Sequence, residues 1–393
     1  MRRLGALAMT TLDVDVAVIG AGTAGLSARR EVEKAGKRAI LIESGHYGTT
    51  CAREGCMPSK LLVAAADAKH AVDGASRFGV RVEAARVDGA AVLARVRAER
   101  DRFVGQVVRL TERVPAGERL RGSARFLDRT TLLVGEDTRV RARAVVIASG
   151  SSPWVPPPFD AIRERADLSA DVFEWRALPR TLAVVGTGIV ALELGQALHR
   201  LGVETAFFNP FDELGPFTSP PLQRASRALF ARELELHLGI TETSARVVQG
   251  GVRIGWVEDG AHHERTFERV LVAAGRRSNL AALDLAKTGL PLDAQGKPPW
   301  DRRTCQCGDS PIFMAGDVIG RRQLLHEASD EGHIAGANAA CFPEVTAHVR
   351  RAGLARSRSP TRRSRSSGGA SRSCRTRRSR PVRSRTRSKA ARG

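Results

Sequence analysis

VDVAVIGAGTAGLSARREVEKAGKRAILIES, residues 14–44, decides the fold. It reads as an apolar strand, a glycine turn, a helix with periodic Leu26, Val32 and Ala35, and a second strand ending at Glu43. Gly20, Gly22 and Gly25 have the spacing G-x-G-x-x-G. The first lets the chain turn sharply, the second lets a pyrophosphate approach the backbone, and the third lets helix pack on strand. Phosphate would then sit at the positive end of the helix, and Glu43 could accept from a ribose hydroxyl. The bland alternative is a glycine turn closing an ordinary βαβ unit. The acid at the second strand's end argues against it.

The same pattern returns in TLAVVGTGIVALELGQALHRLGVETAFFNP, residues 181–210, with Gly186, Gly188 and Ala191. Twenty-three positions separate Gly20 from Glu43, and the same count separates Gly186 from Asn209. Two dinucleotides are therefore expected, one per unit. Asn209 is neither the acid that suits NAD nor the arginine that suits a 2′-phosphate. Asp212 and Glu213 nearby would repel a phosphate, which favours NADH without excluding NADPH. RARAVVIASGSSPWVPP, residues 141–157, and ERVLVAAGRRSN, residues 268–279, read as closing strands that stop at Gly150 and Gly275. IFMAGDV, residues 312–318, adds a third strand followed by glycine, with Asp317 placed to hold a polyol hydroxyl or merely to cap a turn.

Between the first unit and these strands stands GTTCAREGCMPSK, residues 48–60, with four residues between Cys51 and Cys56. Zinc needs four ligands, and no second pair stands at a suitable spacing. Cys305 and Cys307, in TCQCGDS, are separated by one residue, which makes poor tetrahedral geometry, so no metal is expected. A structural bridge fits poorly in a reducing compartment. Redox chemistry fits better: Cys56 begins an apolar helical pattern, where the positive end of the helix lowers a thiol's pKa, and Pro58 suits a first turn.

Composition sets the bounds. A chain of 393 residues holds two or three domains. Six scattered cysteines do not make a secreted disulfide framework. The start has too short an apolar run for a signal segment, with Met9 as an alternative start, and no stretch approaches the roughly 20 apolar residues of a membrane span. The expectation is a cytoplasmic protein without a membrane partner. The net charge of +21 is concentrated at one end: residues 351–393 carry sixteen Lys or Arg and no acid. The rest holds only about +5 of it.

In order along the chain, GAGTAG, GTTCAREGCMPSK, ASGSSP, GTGIVALELG, AAGRRSN and MAGDV resemble the pyridine nucleotide-disulfide oxidoreductases, nearest their dihydrolipoamide dehydrogenase branch. The resemblance covers roughly residues 13–350. It implies an α/β chain of two Rossmann-like domains: a discontinuous FAD domain, residues 10–150 and 276–348, with a nicotinamide domain, residues 151–275, inserted between. It implies FAD contacts from Gly20, Gly22, Gly25, Glu43, Thr50, Lys60, Ser149, Gly150, Asp317 and His326. Gly186, Gly188, Ala191, Asn209 and Gly275 would serve NAD(P). Lys60 would pair with Glu193 beside the flavin ring. Cys56 would be the charge-transfer thiol and Cys51 the outer thiol exchanging with a dithiol or disulfide, free or on a lipoyl-bearing protein. A mercuric or low-molecular-weight disulfide reductase is the runner-up.

In that family an interface domain follows, forms the homodimer and supplies a His-Glu acid/base pair. Here residues 349–393 run as an Arg/Ser-rich tail with almost no large apolar residues. One reading is a genuine tail that neutralises nucleic-acid phosphates without sequence preference, making the chain an adaptor or an inactive flavoprotein. The other is a frameshift: a displaced frame across residues 355–368 can read AIAFTDPQIAVVG, and across residues 384–392 SYEEQGRA, both similar to the family's interface domain. The second reading expects this chain to lack the acid/base histidine and the dimer surface. None of its nine histidines fits that role by pattern; His262 and His263 are expected in a polar turn.

Overall fold

A computed structural model of the chain describes residues 9–83 and 85–348. Both readings of the basic tail concern residues outside that range. β1 (Thr10–Ile19), α1 (Thr23–Lys34) and β2 (Ala39–Glu43) form the expected βαβ unit. The short α2 (Thr50–Arg53) and the long α3 (Cys56–Asp73) carry the thiols, and α4 (Gly89–Glu112) follows. Asp88 starts α4 by accepting from the amide of Ala91 at 2.9 Å. β3 (Arg119–Arg121), β4 (Ala124–Phe126), β5 (Thr131–Val134) and β6 (Thr138–Ile147) complete a sheet of order β3-β2-β1-β6-β5-β4. Its central strands are parallel and buried on both faces, hence their continuous Val, Ile and Ala runs.

The chain leaves this sheet through β7 (Ser151–Pro153) and builds a second. β8 (Ala166–Asp167), β9 (Thr181–Val185), α5 (Ile189–Arg200), β10 (Glu204–Asn209), α6 (Pro220–Phe230) and β11 (Glu235–Leu238) come in turn. An antiparallel meander, β12 (Thr241–Val248), β13 (Gly251–Glu258) and β14 (Ala261–Phe267), precedes β15 (Arg269–Val272). The parallel order is β11-β10-β9-β15-β8. His262 and His263 lie on β14 just past the turn expected to hold them, with His263 stacked on Trp256. β16 (Arg276–Ser278) pairs antiparallel with β7, so the outgoing and returning strands form one two-stranded neck.

The return completes the first sheet. β17 (Ile312–Met314) pairs with the C-terminal half of β6, and α7 (Leu325–Cys341) lies along α1. That contact is backbone to backbone: a Cβ on Gly332 or Gly336 would stand 2.3 Å from the carbonyl oxygen of Ala24 or Ala28. The buried stripe of α1 is therefore Ala24, Ala28 and Val32, while Leu26 is half-buried and Ala35 caps the helix. Small residues are required where two helices approach this closely.

What positions the site is α3. Its Leu62 and Ala66 are buried in the same core as Leu192, Leu194 and Ala197 of α5. The thiol-bearing helix of the first unit is thus packed against the leading helix of the second.

Candidate active site at the junction of the two units

The two glycine turns are built alike. The amide of Gly20 donates to the carbonyl of Ile42 at 2.7 Å, and that of Gly186 to Phe208 at 2.8 Å. Both first glycines have positive φ, +106° and +103°, and a Cβ on either would strike the next parallel strand, 2.3 Å from the Ala148 oxygen or 2.7 Å from the Ala273 oxygen. The second glycines, Gly22 and Gly188, cap α1 and α5 without a side chain, and nothing lies within 4 Å of where a Cβ would be. Each turn therefore presents free helical N–H groups beside open space, which fits a dinucleotide pyrophosphate. The third positions differ. A Cβ on Gly25 would be 1.8 Å from the Gly20 oxygen, whereas the second unit accommodates Ala191, fully buried.

At the strand ends the units diverge. The Glu43 carboxylate accepts from the amides of Ala21 at 2.8 Å and Gly45 at 2.7 Å. Asn209 instead donates from Nδ2 to Thr187 Oγ1 at 2.6 Å and to the Glu213 carbonyl at 3.0 Å. Asp212, which was expected to repel a phosphate, is engaged by Arg227 from α6.

Cys51 lies on α2 and Cys56 opens α3; both are half-buried thiols. Hydrogen bonding from Cys51 brings the Cys56 thiol down to about 7 against its burial, with help from the Lys60 charge. Donating that proton, together with burial, pushes the Cys51 thiol up. The first thiolate formed by the pair is therefore that of Cys56. The turn feeding it is strained: Thr49 has φ +57° and accepts from the Ala52 amide at 3.2 Å. One helical turn after Cys56, Lys60 Nζ meets Glu193 Oε1 at 2.6 Å, a bridge from α3 to α5. Thr50, the first residue of α2, is exposed.

The neck ties the remaining segments together. Ser149 Oγ donates to the Asn279 carbonyl at 2.7 Å, Asn279 Nδ2 donates to the Ser149 carbonyl at 3.0 Å, and the Asn279 amide reaches the Gly150 oxygen at 3.0 Å. Gly150 and Gly275 both have positive φ with open space before them. Asp317 follows β17, and burial raises its carboxyl pKa although Arg276 opposes this. Burial likewise lowers the Arg276 pKa, against the charges of Asp317 and of Glu54 in the thiol turn. Glu331, 6% exposed on α7, accepts from the Gly316 amide at 2.7 Å and so fixes the turn that carries Asp317. His326 is exposed in the first turn of α7.

Arg276, Asn279 and Glu331 were missed in the sequence. Only the Arg and Asn in GRRSN stood close enough to a motif to be noticed. Cys305 and Cys307 face different cores, on opposite sides of the first sheet, and burial pushes the Cys307 thiol up to about 12. Among the described residues no group of three or more His, Cys, Asp or Glu is placed to hold a metal ion. Among them, too, no helix is long and apolar enough to cross a membrane.

Two dinucleotide-binding folds with a polarised dithiol at their junction define a two-nucleotide oxidoreductase acting on sulfur. A model of the pyridine nucleotide-disulphide oxidoreductases matches residues 14–332. The chain belongs to that family of NAD(P)H-dependent flavoprotein disulfide reductases. It is 30% identical over 336 residues to dihydrolipoyl dehydrogenase of Chlamydia trachomatis, covering 84% of this chain and 71% of that relative. With mercuric reductase of Shigella flexneri it shares 33% over 341 residues, 82% of this chain and 58% of the other. The fold is similar to that of the HOCl-induced flavoprotein disulfide reductase RclA of Escherichia coli, solved as a Cu(II) complex, with a TM-score of 0.68 at 20% identity over 82% of this chain and 69% of that one.

Proposed function

We propose that the chain is an FAD-containing, NAD(P)-linked dithiol/disulfide oxidoreductase of dihydrolipoyl dehydrogenase type, working through Cys51 and Cys56. The observation that carries this reading is the placement of Cys56 at the start of α3, with Lys60 one turn on and bridged to Glu193 of the second unit. In this reading FAD is held by residues 10–150 and 276–348 and the nicotinamide coenzyme by residues 151–275. The pyrophosphates lie on the Gly22 and Gly188 turns, and Glu43 and Asp317 take hydroxyls of FAD. Bound flavin supplies two-electron chemistry that the side chains lack.

The protein's own contribution is sulfur exchange. A substrate thiolate attacks Cys51 Sγ of the oxidised pair, the Cys51–Cys56 bond breaks, and Cys56 leaves as a thiolate. A thiol near 7 is the better leaving group. The second substrate thiol then attacks the substrate sulfur of the mixed disulfide and gives its proton to the departing Cys51, which closes the substrate disulfide and leaves two electrons and one proton on the pair, the first thiol's proton having gone to solvent. Lys60 balances the Cys56 charge. The substrate is a small dithiol or disulfide, free or on a lipoyl-bearing protein, and the setting is the reducing cytoplasm. The intact assembly is a homodimer whose interface domain would follow residue 348. Nucleic acid is a partner only if the basic run is native.

The test is dihydrolipoamide-dependent NAD reduction by the purified holoprotein, with Cys56→Ser as control. Loss of activity in the variant with FAD retained supports the reading; full activity without Cys56 refutes it. The similarity to mercuric reductase supports a second reading, and mercuric-ion-dependent NADPH oxidation without dihydrolipoamide activity would favour it.

A further inference from the structure

On the side of the site, the first sheet ends in two turns that are held alike. Ile19 of β1 and Met314 of β17 both pair with Ile147 of β6, so the turns after them flank the end of that strand. In each turn an amide just past the ladder is taken by a carboxylate: Glu43 accepts from Ala21 at 2.8 Å, and Glu331 accepts from Gly316 at 2.7 Å. For β17 the hand-over is immediate, since the preceding amide, that of Ala315, still donates to the Ile147 carbonyl at 3.0 Å.

Glu43 stands next to its turn in sequence, whereas Glu331 comes from α7 and is 6% exposed. Burying a carboxylate to that degree is costly unless hydrogen bonds hold it. The backbone on either side of the bond has little freedom. Gly332, the next residue of α7, lies against Ala24, and Gly316 faces the same residue, where a Cβ would stand 2.8 Å from the Ala24 Cβ. Gly316 also has φ +83°, a conformation that side-chain-bearing residues rarely adopt. The direction in which residue 317 leaves the turn is therefore set where Glu331 grips the Gly316 amide.

We propose that Glu331 is a positioning residue for the flavin, aiming Asp317 at a hydroxyl of the polyol chain and acting through that residue. This rests on the reading of the first unit as the FAD fold with Asp317 on a flavin hydroxyl. The test is a double-mutant cycle on FAD affinity, read as flavin fluorescence released when the holoprotein is diluted, with no turnover involved. Glu331→Met keeps the bulk and removes the acceptor, and should raise the FAD dissociation constant about 30-fold, the scale of one buried hydrogen bond. In the Asp317→Ala background the same change should add no more than about 3-fold, because the residue that Glu331 aims is gone. Glu331→Gln keeps an acceptor and should stay within about 3-fold of the native value. If Glu331→Met does not fold, Glu331→Asp, one methylene shorter, replaces it in the same cycle. Equal losses in both backgrounds, or no loss in either, overturn the inference and leave the FAD reading standing. A native chain that binds no FAD overturns both.

Discussion

The two nucleotide-binding units share the backbone of their glycine turns, and two of the side-chain differences between them bear on the site. The first-glycine turns coincide in φ within a few degrees, and each is closed by the adjacent parallel strand. Yet the third small residue is Gly25 in one and Ala191 in the other, and the strand-end residue is Glu43 in one and Asn209 in the other. The duplicated backbone repeats the open helix N-terminus, while the side chains differ in how tightly the helix is seated and in what stands at the strand end.

The sharpest way to break the symmetry is a reciprocal exchange. Gly25→Ala places a methyl 1.8 Å from a backbone oxygen, so it should cost about 3 kcal/mol or more and empty the flavin site. Thermal unfolding and the flavin-to-protein absorbance ratio would register both. Ala191→Gly removes a buried methyl and a good helix former, costing about 1 kcal/mol. Equal effects would show that the third position is not the point of difference.

Next in size is Arg200→Ala. Arg200, with its side chain 15% exposed, joins Glu233 at 2.6 Å and Asp67 of α3 at 3.2 Å. Its loss should cost about 2 kcal/mol by chemical denaturation. Burial opposes ionisation of Glu233, but hydrogen bonds from Arg200 and Gln196 hold its carboxyl below the usual range. That contribution is present above the ordinary Glu pKa of 4.5 and is lost as pH falls through the lower folded value, so the variant's deficit should shrink in acid. The more exposed Lys60–Glu193 pair should contribute under about 1 kcal/mol to stability.

Lys60 matters instead for charge. The Cys56 thiolate of the reduced protein should grow in as pH rises through about 7 and disappear below it. Lys60→Met should move that midpoint upward by about one unit, read as thiolate ultraviolet absorbance. An unmoved midpoint would leave the hydrogen bonds from Cys51 and the backbone responsible for the low value.

Much of this could be read in the sequence because glycine spacing encodes backbone geometry directly. Both turns, the strand ends and the thiol pair at a helix start follow from local pattern. The packing of α3 on α5 does not, since Leu62 and Leu192 look like any apolar helical residues. Arg276, Asn279 and Glu331 likewise take partners more than ten residues away, and such contacts leave no local periodicity. Leu26, Val32 and Ala35 marked the helix, but apolar spacing does not show that another backbone will lie against Ala24 and Ala28.

The late return of β17 and α7 sets an order of synthesis. When residue 272 leaves the ribosome, every strand of the second sheet has been made, from β8 to β15. The first sheet then still lacks β17 on the outer side of β6, and Ala24 and Ala28 wait for Gly332 and Gly336. For some forty to seventy residues of translation the nascent chain thus holds every strand of the second sheet while the first still lacks β17 and α7. Any ligand that needs both Glu43 and Asp317 must wait for β17, and a chain stopped before α7 would leave the Ala24 and Ala28 face of α1 uncovered.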